Sequence, residues 1–218
     1  MTRDGRAHVH GQTVRWSALY DVLLTVITLG GERRYREVML DRAGVDAGER
    51  VLDVGCGTGT LAIAAKRRVG ATGTVNGVDA ATEMVTRAQH KARRAALDVT
   101  FEVAPAQVLP FPDATFDVAL CTLMMHHLPA EGRRRAVAEI HRVLRPGGRL
   151  LVVDLATPDG LLAALNPISI LHGHNQTHFA NEAAAQMRSG GFNNVVTGKL
   201  NSRVIGYALG TAMARSGA

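Results

Sequence analysis

Val51-Leu-Asp-Val-Gly-Cys-Gly-Thr-Gly59 decides the fold. Four residues of strand character run into Gly55, Gly57 and Gly59, and residues 58–69 then read as a helix. Glycines at that junction permit a tight turn and let a ligand approach the backbone closely. Working outward, strands are expected at 50–54, 74–78, 99–104, 116–121 and 149–155. Helices are expected at 82–96 and 130–144 between them. Continuous apolar strands alternating with helices indicate a parallel sheet covered on both faces, and right-handed crossovers make it doubly wound. The fold class is therefore α/β, Rossmann-like.

The flanks are read with the same rules. Residues 1–15 are polar and aperiodic, so they are expected to be a flexible tail. Residues 16–45 form a helical cap, with helices at 18–29 and 33–43 broken by Gly30-Gly31. Residues 46–155 are the core that carries the glycine loop. The irregular stretch 156–179, with Pro158, Pro167, His172 and His174, is placed where it could cover a reacting partner. In residues 180–218 a helix at 180–189 is closed by Gly190-Gly191. Strands at 194–197 and 204–209 are then near enough in sequence to pair antiparallel. All of 16–218 reads as one domain, since 218 residues at 46% hydrophobic can fill one core and no linker divides them.

Composition narrows the function classes. The apolar run at 18–29 is shorter than a membrane span and is interrupted by Asp21, with no signal-peptide layout around it. Two cysteines, Cys56 and Cys121, supply no disulfide framework. Both points lead to a cytoplasmic expectation. The formal charge of +6 raises nucleic acid as a partner, but the basic residues are dispersed. Arg93-Arg94 and Arg133-Arg134-Arg135 fall on helices with acidic or apolar neighbours, and aromatic residues make up only 4%. Nucleic acid is accordingly disfavoured against a small-molecule partner.

The charge around the loop indicates its ligand. Position 60 is Thr, so the dinucleotide fingerprint G-x-G-x-x-G is broken. Asp53, just before the loop, would oppose a pyrophosphate at the helix start and favour a cationic group. Asp79 closes the next strand 22 residues after Gly57, where a carboxylate can accept from ribose hydroxyls or simply cap the following helix. Ammonium plus sulfonium, as in S-adenosylmethionine, satisfies this pattern better than NAD.

Five segments in order carry a family resemblance: the loop from Asp53 to Gly59, Gly77-Val-Asp79, Leu109-Pro-Phe-Pro-Asp-Ala-Thr-Phe-Asp117, His126-His-Leu128, and Arg142-Val-Leu-Arg-Pro-Gly-Gly148. Together they resemble class I S-adenosylmethionine-dependent methyltransferases, nearest to the small-molecule enzymes of the ubiquinone/menaquinone-biosynthesis type. The resemblance implies a mostly parallel seven-stranded sheet with the last strand antiparallel. It places the methionine end of the cofactor on Gly55, Cys56, Gly57, Thr58 and Gly59, with Asp53 acting through the amino group or a water. Asp79 takes the ribose, Ala80 and Met84 lie beside the adenine, Ala106 and Gln107 flank its edge, and Thr122 lies below the sulfonium. Tyr20, in the cap, is a candidate lid. Relatives carry Asp or Asn at the position of Pro105, which has neither side-chain acceptor nor backbone donor. That adenine contact would pass to Gln107 or water, or be lost.

His126 and His127 are the candidate bases for an acceptor that must lose a proton. Packing under the cofactor competes with that role and is the stronger expectation, because the motif itself holds no carboxylate to orient a ring. His172 and His174 are candidate acceptor contacts; no accompanying Cys or carboxylate spacing suggests a metal. Pro146-Gly147-Gly148 is expected to be a tight turn that feeds the 149–155 strand. Met124, Met125 and the cap's Leu19, Leu23, Leu24 and Ile27 suit an acceptor with apolar surface, or ordinary core. The competing functions are a non-catalytic domain that senses a cofactor or binds a partner, and an NAD(P)-dependent oxidoreductase.

Overall fold

The structure, a computed structural model, describes residues 32–155, 179–200 and 205–214. Helix α1 (Glu32–Ala43) leads into β1 (Arg50–Val54), α2 (Thr60–Val69), β2 (Thr74–Asp79), α3 (Thr82–Arg94), β3 (Thr100–Val103) and β4 (Phe116–Thr122). A 3-10 turn (Met125–His127) follows, then α4 (Ala130–Val143), β5 (Leu144–Leu155), α5 (Phe179–Ser189), β6 (Phe192–Lys199) and β7 (Ile205–Ala212). Seven strands form one sheet in the order β3-β2-β1-β4-β5-β7-β6. β1 to β5 are parallel, and β7 runs antiparallel to both β5 and β6.

The apolar strands are buried from both sides. Leu52 and Val54 join one core cluster and Val51 the other, so alternate residues of β1 feed opposite faces of the sheet. Val118 and Leu120 pack with α1 and α2, while Ala119 and Cys121 pack with α4 and α5. Each fully buried Val or Leu contributes roughly 1.5–3 kcal/mol by leaving water. This double coverage holds the carboxyl ends of β1 and β4 rigidly side by side. The order also reverses there, since the chain moves outward to β2 and β3 and then returns to β4. Open α/β sheets bind ligands in that crevice.

Two local expectations are refined. The expected Pro-Gly turn at 145–148 sits inside a strand rather than before one. β5 starts at Leu144, and its pairing with β4 jumps from Phe116↔Leu144 to Val118↔Arg149. The Pro-Gly-Gly segment is thus a turn that bulges within a strand pair, with Gly147 at φ +79°. α2 begins at Thr60 rather than 58, because Gly59 adopts φ +76° and delays helical geometry. The tail, the 18–29 helix with Tyr20, and the stretch with His172 and His174 lie outside the described residues.

Candidate functional site

The glycine loop is built by alternating backbone handedness. Gly55, Gly57 and Gly59 have φ of +71°, +52° and +76°, values that L side chains rarely adopt. The amides of Gly55 and Cys56 both donate to the carbonyl of Val78, tying the loop to the end of β2. A β-carbon on Gly59 would meet Phe101 Cζ at 2.6 Å and Ala88 Cβ at 2.7 Å, so bare backbone there lets α3 and β3 close in. One on Gly57 would meet nothing within 4 Å, so open space faces that residue.

Asp79 braces the loop from β2. Its Oδ2 accepts from the Gly57 amide and its Oδ1 from the Ala81 amide, both at 2.9 Å. The helix-cap alternative is answered by geometry: the residue before α3 is Ala81, with no side-chain cap. Asp79 is half-buried, so its carboxylate retains lone pairs toward the crevice. On the other side of the loop, Lys91 Nζ donates to Thr58 Oγ1 at 2.7 Å.

Asp53 is the least satisfied group of the site. It is 1% exposed, and neither carboxylate oxygen meets a donor at hydrogen-bonding geometry. Burial raises its carboxyl from 3.8 to about 7; the Ala62 amide offsets part of this, and the Asp79 charge adds to it. Buried carboxylates ordinarily have partners, so an orphaned one implies a cationic or hydrogen-bonding guest. Asp154, fully buried near the end of β5, adds to the same negative field, since Asp154 and Asp53 both raise the Cys121 thiol after burial does. Three carboxylates near the carboxyl ends of β1, β2 and β5 fit an ammonium–sulfonium ligand and oppose a pyrophosphate. Burial also pushes the Cys56 thiol far up, which removes it as a nucleophile.

The opposite wall follows β4. Leu123 sits at φ +53°, an uncommon conformation for a residue with a β-carbon, and its amide donates to the Val153 carbonyl. This kink turns Met124 onto the loop, where a β-carbon on Gly55 would lie 2.4 Å from its Cγ. Met125 goes the other way, into the core at 1% exposure. His126 follows on the 3-10 turn. Its Nδ1 contacts Asp154 Oδ1 at 2.6 Å, and its amide donates to Oδ2 at 3.2 Å. The His127 ring, exposed, lies 3.9 Å from the His126 ring centroid.

The third wall comes after β3. The Ala104 amide donates to the Asp79 carbonyl; Pro105 is exposed and Ala106 is buried. Gln107 Nε2 lies against the first turn of α4, 3.2 Å from where a β-carbon on Gly132 would be. Met84 is buried in the first turn of α3 and Ala80 is exposed beside it. Thr122 is half-buried at the last β4 position. The structure therefore brings the loop, Asp53, Asp79, Thr122 and His126 to the carboxyl edge of the central strands. The motif that holds His126 has no carboxylate of its own, but the sheet supplies Asp154 from 28 residues away. The signal was available: Leu150-Leu-Val-Val-Asp154 ends an apolar strand in an acid, as Asp79 ends β2. Among the described residues no group of three or more His, Cys, Asp or Glu could hold a metal ion.

The sheet order, the broken dinucleotide fingerprint and the clustered carboxylates suit a cationic cofactor better than a dinucleotide. Comparison with known proteins agrees: residues 51–148 match the model of a methyltransferase-domain family. The chain is 33% identical over 141 residues to a ubiquinone/menaquinone biosynthesis C-methyltransferase of Geobacter, covering 64% of this chain and 59% of that protein. It is 37% identical over 139 residues to the demethylmenaquinone methyltransferase of Thermus thermophilus, covering 64% and 62%. The matched region thus spans less than two thirds of either relative. A methyltransferase from Aquifex aeolicus superposes with a TM-score of 0.66 at 22% identity, over 82% of this chain and 89% of that one. The [4+2]-cyclase SpnF superposes at 0.69, also at 22% identity, over 84% and 81%, so fold likeness by itself does not fix the reaction. Residues 51–148 thus match a methyltransferase-domain family, and about two thirds of the chain is similar to methyltransferases of ubiquinone and menaquinone biosynthesis.

Proposed function

We propose that the protein transfers a methyl group from S-adenosylmethionine to a small molecule with apolar or aromatic surface. The observation that carries this reading is the buried, unpartnered Asp53 carboxylate under a glycine loop that Asp79 braces. The cofactor supplies a methyl group already activated on a sulfonium. The chain's part is to bind, orient and exclude water. Asp53 takes the ammonium, the backbone of 55–59 takes the carboxylate end, and Asp79 accepts from the ribose. Met84, Ala80 and Ala106 flank the adenine, with Gln107 at its edge in place of an acid at Pro105, and Thr122 lies under the sulfur. Tyr20, His172 and His174 are assigned to the cover and the acceptor side on sequence grounds alone.

The acceptor class follows from the sequence type, whose named members methylate quinone precursors, and from Met124 lying against the loop. The basic surface offers little to a nucleic acid: Arg134 and Arg135 pair with Glu131, and Arg133 with Glu182. No helix among the described residues is long and apolar enough to cross a membrane. Titration calorimetry with S-adenosylhomocysteine and with NADH tests the cofactor. Binding of the first and not the second is expected. Transfer of a labelled methyl group to a prenylated naphthohydroquinone then tests catalysis. NADH binding with no affinity for S-adenosylhomocysteine would refute the proposal.

A further inference from the structure

The methyl-transfer reading leaves the His126–Asp154 pair unused. Asp154 lies near the end of β5, fully buried, and each of its oxygens reaches His126: Oδ1 the ring and Oδ2 the amide. Burying a carboxylate is costly unless its bonds are specific. A core position could have held an apolar residue, like Val152 and Val153 beside it. The ring is meanwhile 20% exposed, so it is held at Nδ1, flanked by the His127 ring, and still reachable from solvent. Its turn begins at Leu123, whose left-handed backbone sets Met124 against Gly55 of the loop. Strain of that kind persists where surrounding structure demands it.

A carboxylate can only accept, so Nδ1 carries the hydrogen and Nε2 keeps the lone pair. We infer that His126 Nε2 is the base that deprotonates the acceptor and that Asp154 is its positioning residue. The inference rests on the methyl-transfer reading and adds the acceptor's chemistry: a phenolic or enolic hydroxyl. Such a hydroxyl titrates near 10 and is a poor nucleophile at neutral pH. In the step, the O–H bond breaks and its proton moves to Nε2, giving an imidazolium that Asp154 stabilises. The electron pair stays on the acceptor and forms the new bond to the methyl carbon, from oxygen or from the conjugated ring carbon. The carbon–sulfur bond breaks with its pair on sulfur, leaving a neutral thioether. When carbon is methylated, loss of its ring proton and reprotonation of oxygen restore the aromatic hydroxyl, so the net release is one proton.

Nitrogen-15 NMR of the full chain labelled at histidine reads the tautomer without any acceptor. His126 is expected as Nδ1–H, and Asp154→Asn, whose amide can donate, should shift it toward Nε2–H. Single-turnover transfer to 2-prenyl-1,4-naphthohydroquinone should fall about 10²–10⁴-fold in His126→Gln, the range for losing a positioned base. Asp154→Asn should fall at least about tenfold. S-adenosylhomocysteine affinity and melting temperature should stay near wild type in His126→Gln. A wild-type ring found mainly as Nε2–H overturns the inference, whether or not either variant folds. So does a His126→Gln variant within tenfold of wild type. Failure of the wild type to bind S-adenosylhomocysteine overturns the methyl-transfer reading itself, which separates the two failures.

Discussion

At Asp53 stability and binding pull in opposite directions. Its carboxyl is raised by burial from 3.8 to about 7, so the folded protein keeps that proton where the unfolded chain has released it. The folded state gains from this below pH 3.8 and loses the gain progressively as pH rises to about 7, by on the order of 4 kcal/mol at most. Without ligand at pH 8, Asp53→Asn should therefore melt at a higher temperature than wild type, and the gap should shrink by more than half at pH 5 and close near pH 3.8. The same variant should bind S-adenosylmethionine more weakly, because attraction to an ammonium is gone. The wild type's affinity should fall about tenfold from pH 8 to pH 6, as the ionised fraction drops from about nine tenths to about one tenth. Calorimetry in two buffers of different ionisation enthalpy should register proton release at pH 6. An Asp53→Asn protein with wild-type affinity and the same pH profile would remove Asp53 from the site.

At the scale of elements, the glycine loop separates two duties that the sequence alone merges. Gly59 and Gly57 look equivalent in Gly55-Cys-Gly-Thr-Gly59, yet one is crowded by Phe101 and Ala88 and the other faces open space. Gly59→Ala combines a left-handed backbone with a contact shorter than real β-carbons tolerate, and should cost about 2–4 kcal/mol in urea unfolding. Gly57→Ala carries only the backbone term, about 1–2 kcal/mol. It should instead raise the S-adenosylhomocysteine dissociation constant, since its methyl group enters the space the ligand needs. Equal stability losses with unchanged binding would mean that the ligand lies elsewhere. Elements were legible where one local rule governs them, as in the apolar strands β1, β4 and β5 and in Asp79, whose spacing from the loop is fixed by one βα unit. They were illegible where partners come from afar. The 145–148 bulge depends on pairing with β4, and Asp154's role depends on β5 lying beside β4. The start of α2 depends on the handedness of Gly59, which no pattern of apolar residues encodes.

Across the whole molecule, charge is sorted by depth. The chain carries +6 overall, yet Asp53, Asp79 and Asp154 gather at the carboxyl ends of their strands, while Arg134 and Arg135 sit outside against Glu131. Sheet topology does the sorting. β1, β2 and β5 run parallel and each carries its acid at or near its carboxyl end, so three carboxylates separated in sequence share one edge. That concentration of negative charge costs stability until a cation occupies it, so a fitting ligand should stabilise the entire fold. At 100 times its dissociation constant, S-adenosylhomocysteine should add about 2.7 kcal/mol. For a domain of this size that raises the melting temperature by roughly 5–10 °C. Sinefungin, which places a protonated amine near the sulfonium position, carries one more positive charge. If the acid cluster is the cause, it should raise the melting temperature further than S-adenosylhomocysteine at equal concentration, and the difference should narrow below pH 6 as Asp53 takes up its proton. NADH, with its pyrophosphate, should leave the transition unmoved. Scanning calorimetry at pH 8 and pH 5.5 with each ligand in turn measures all three. A shift with NADH that matches the shift with S-adenosylhomocysteine would mean that the crevice does not select by charge.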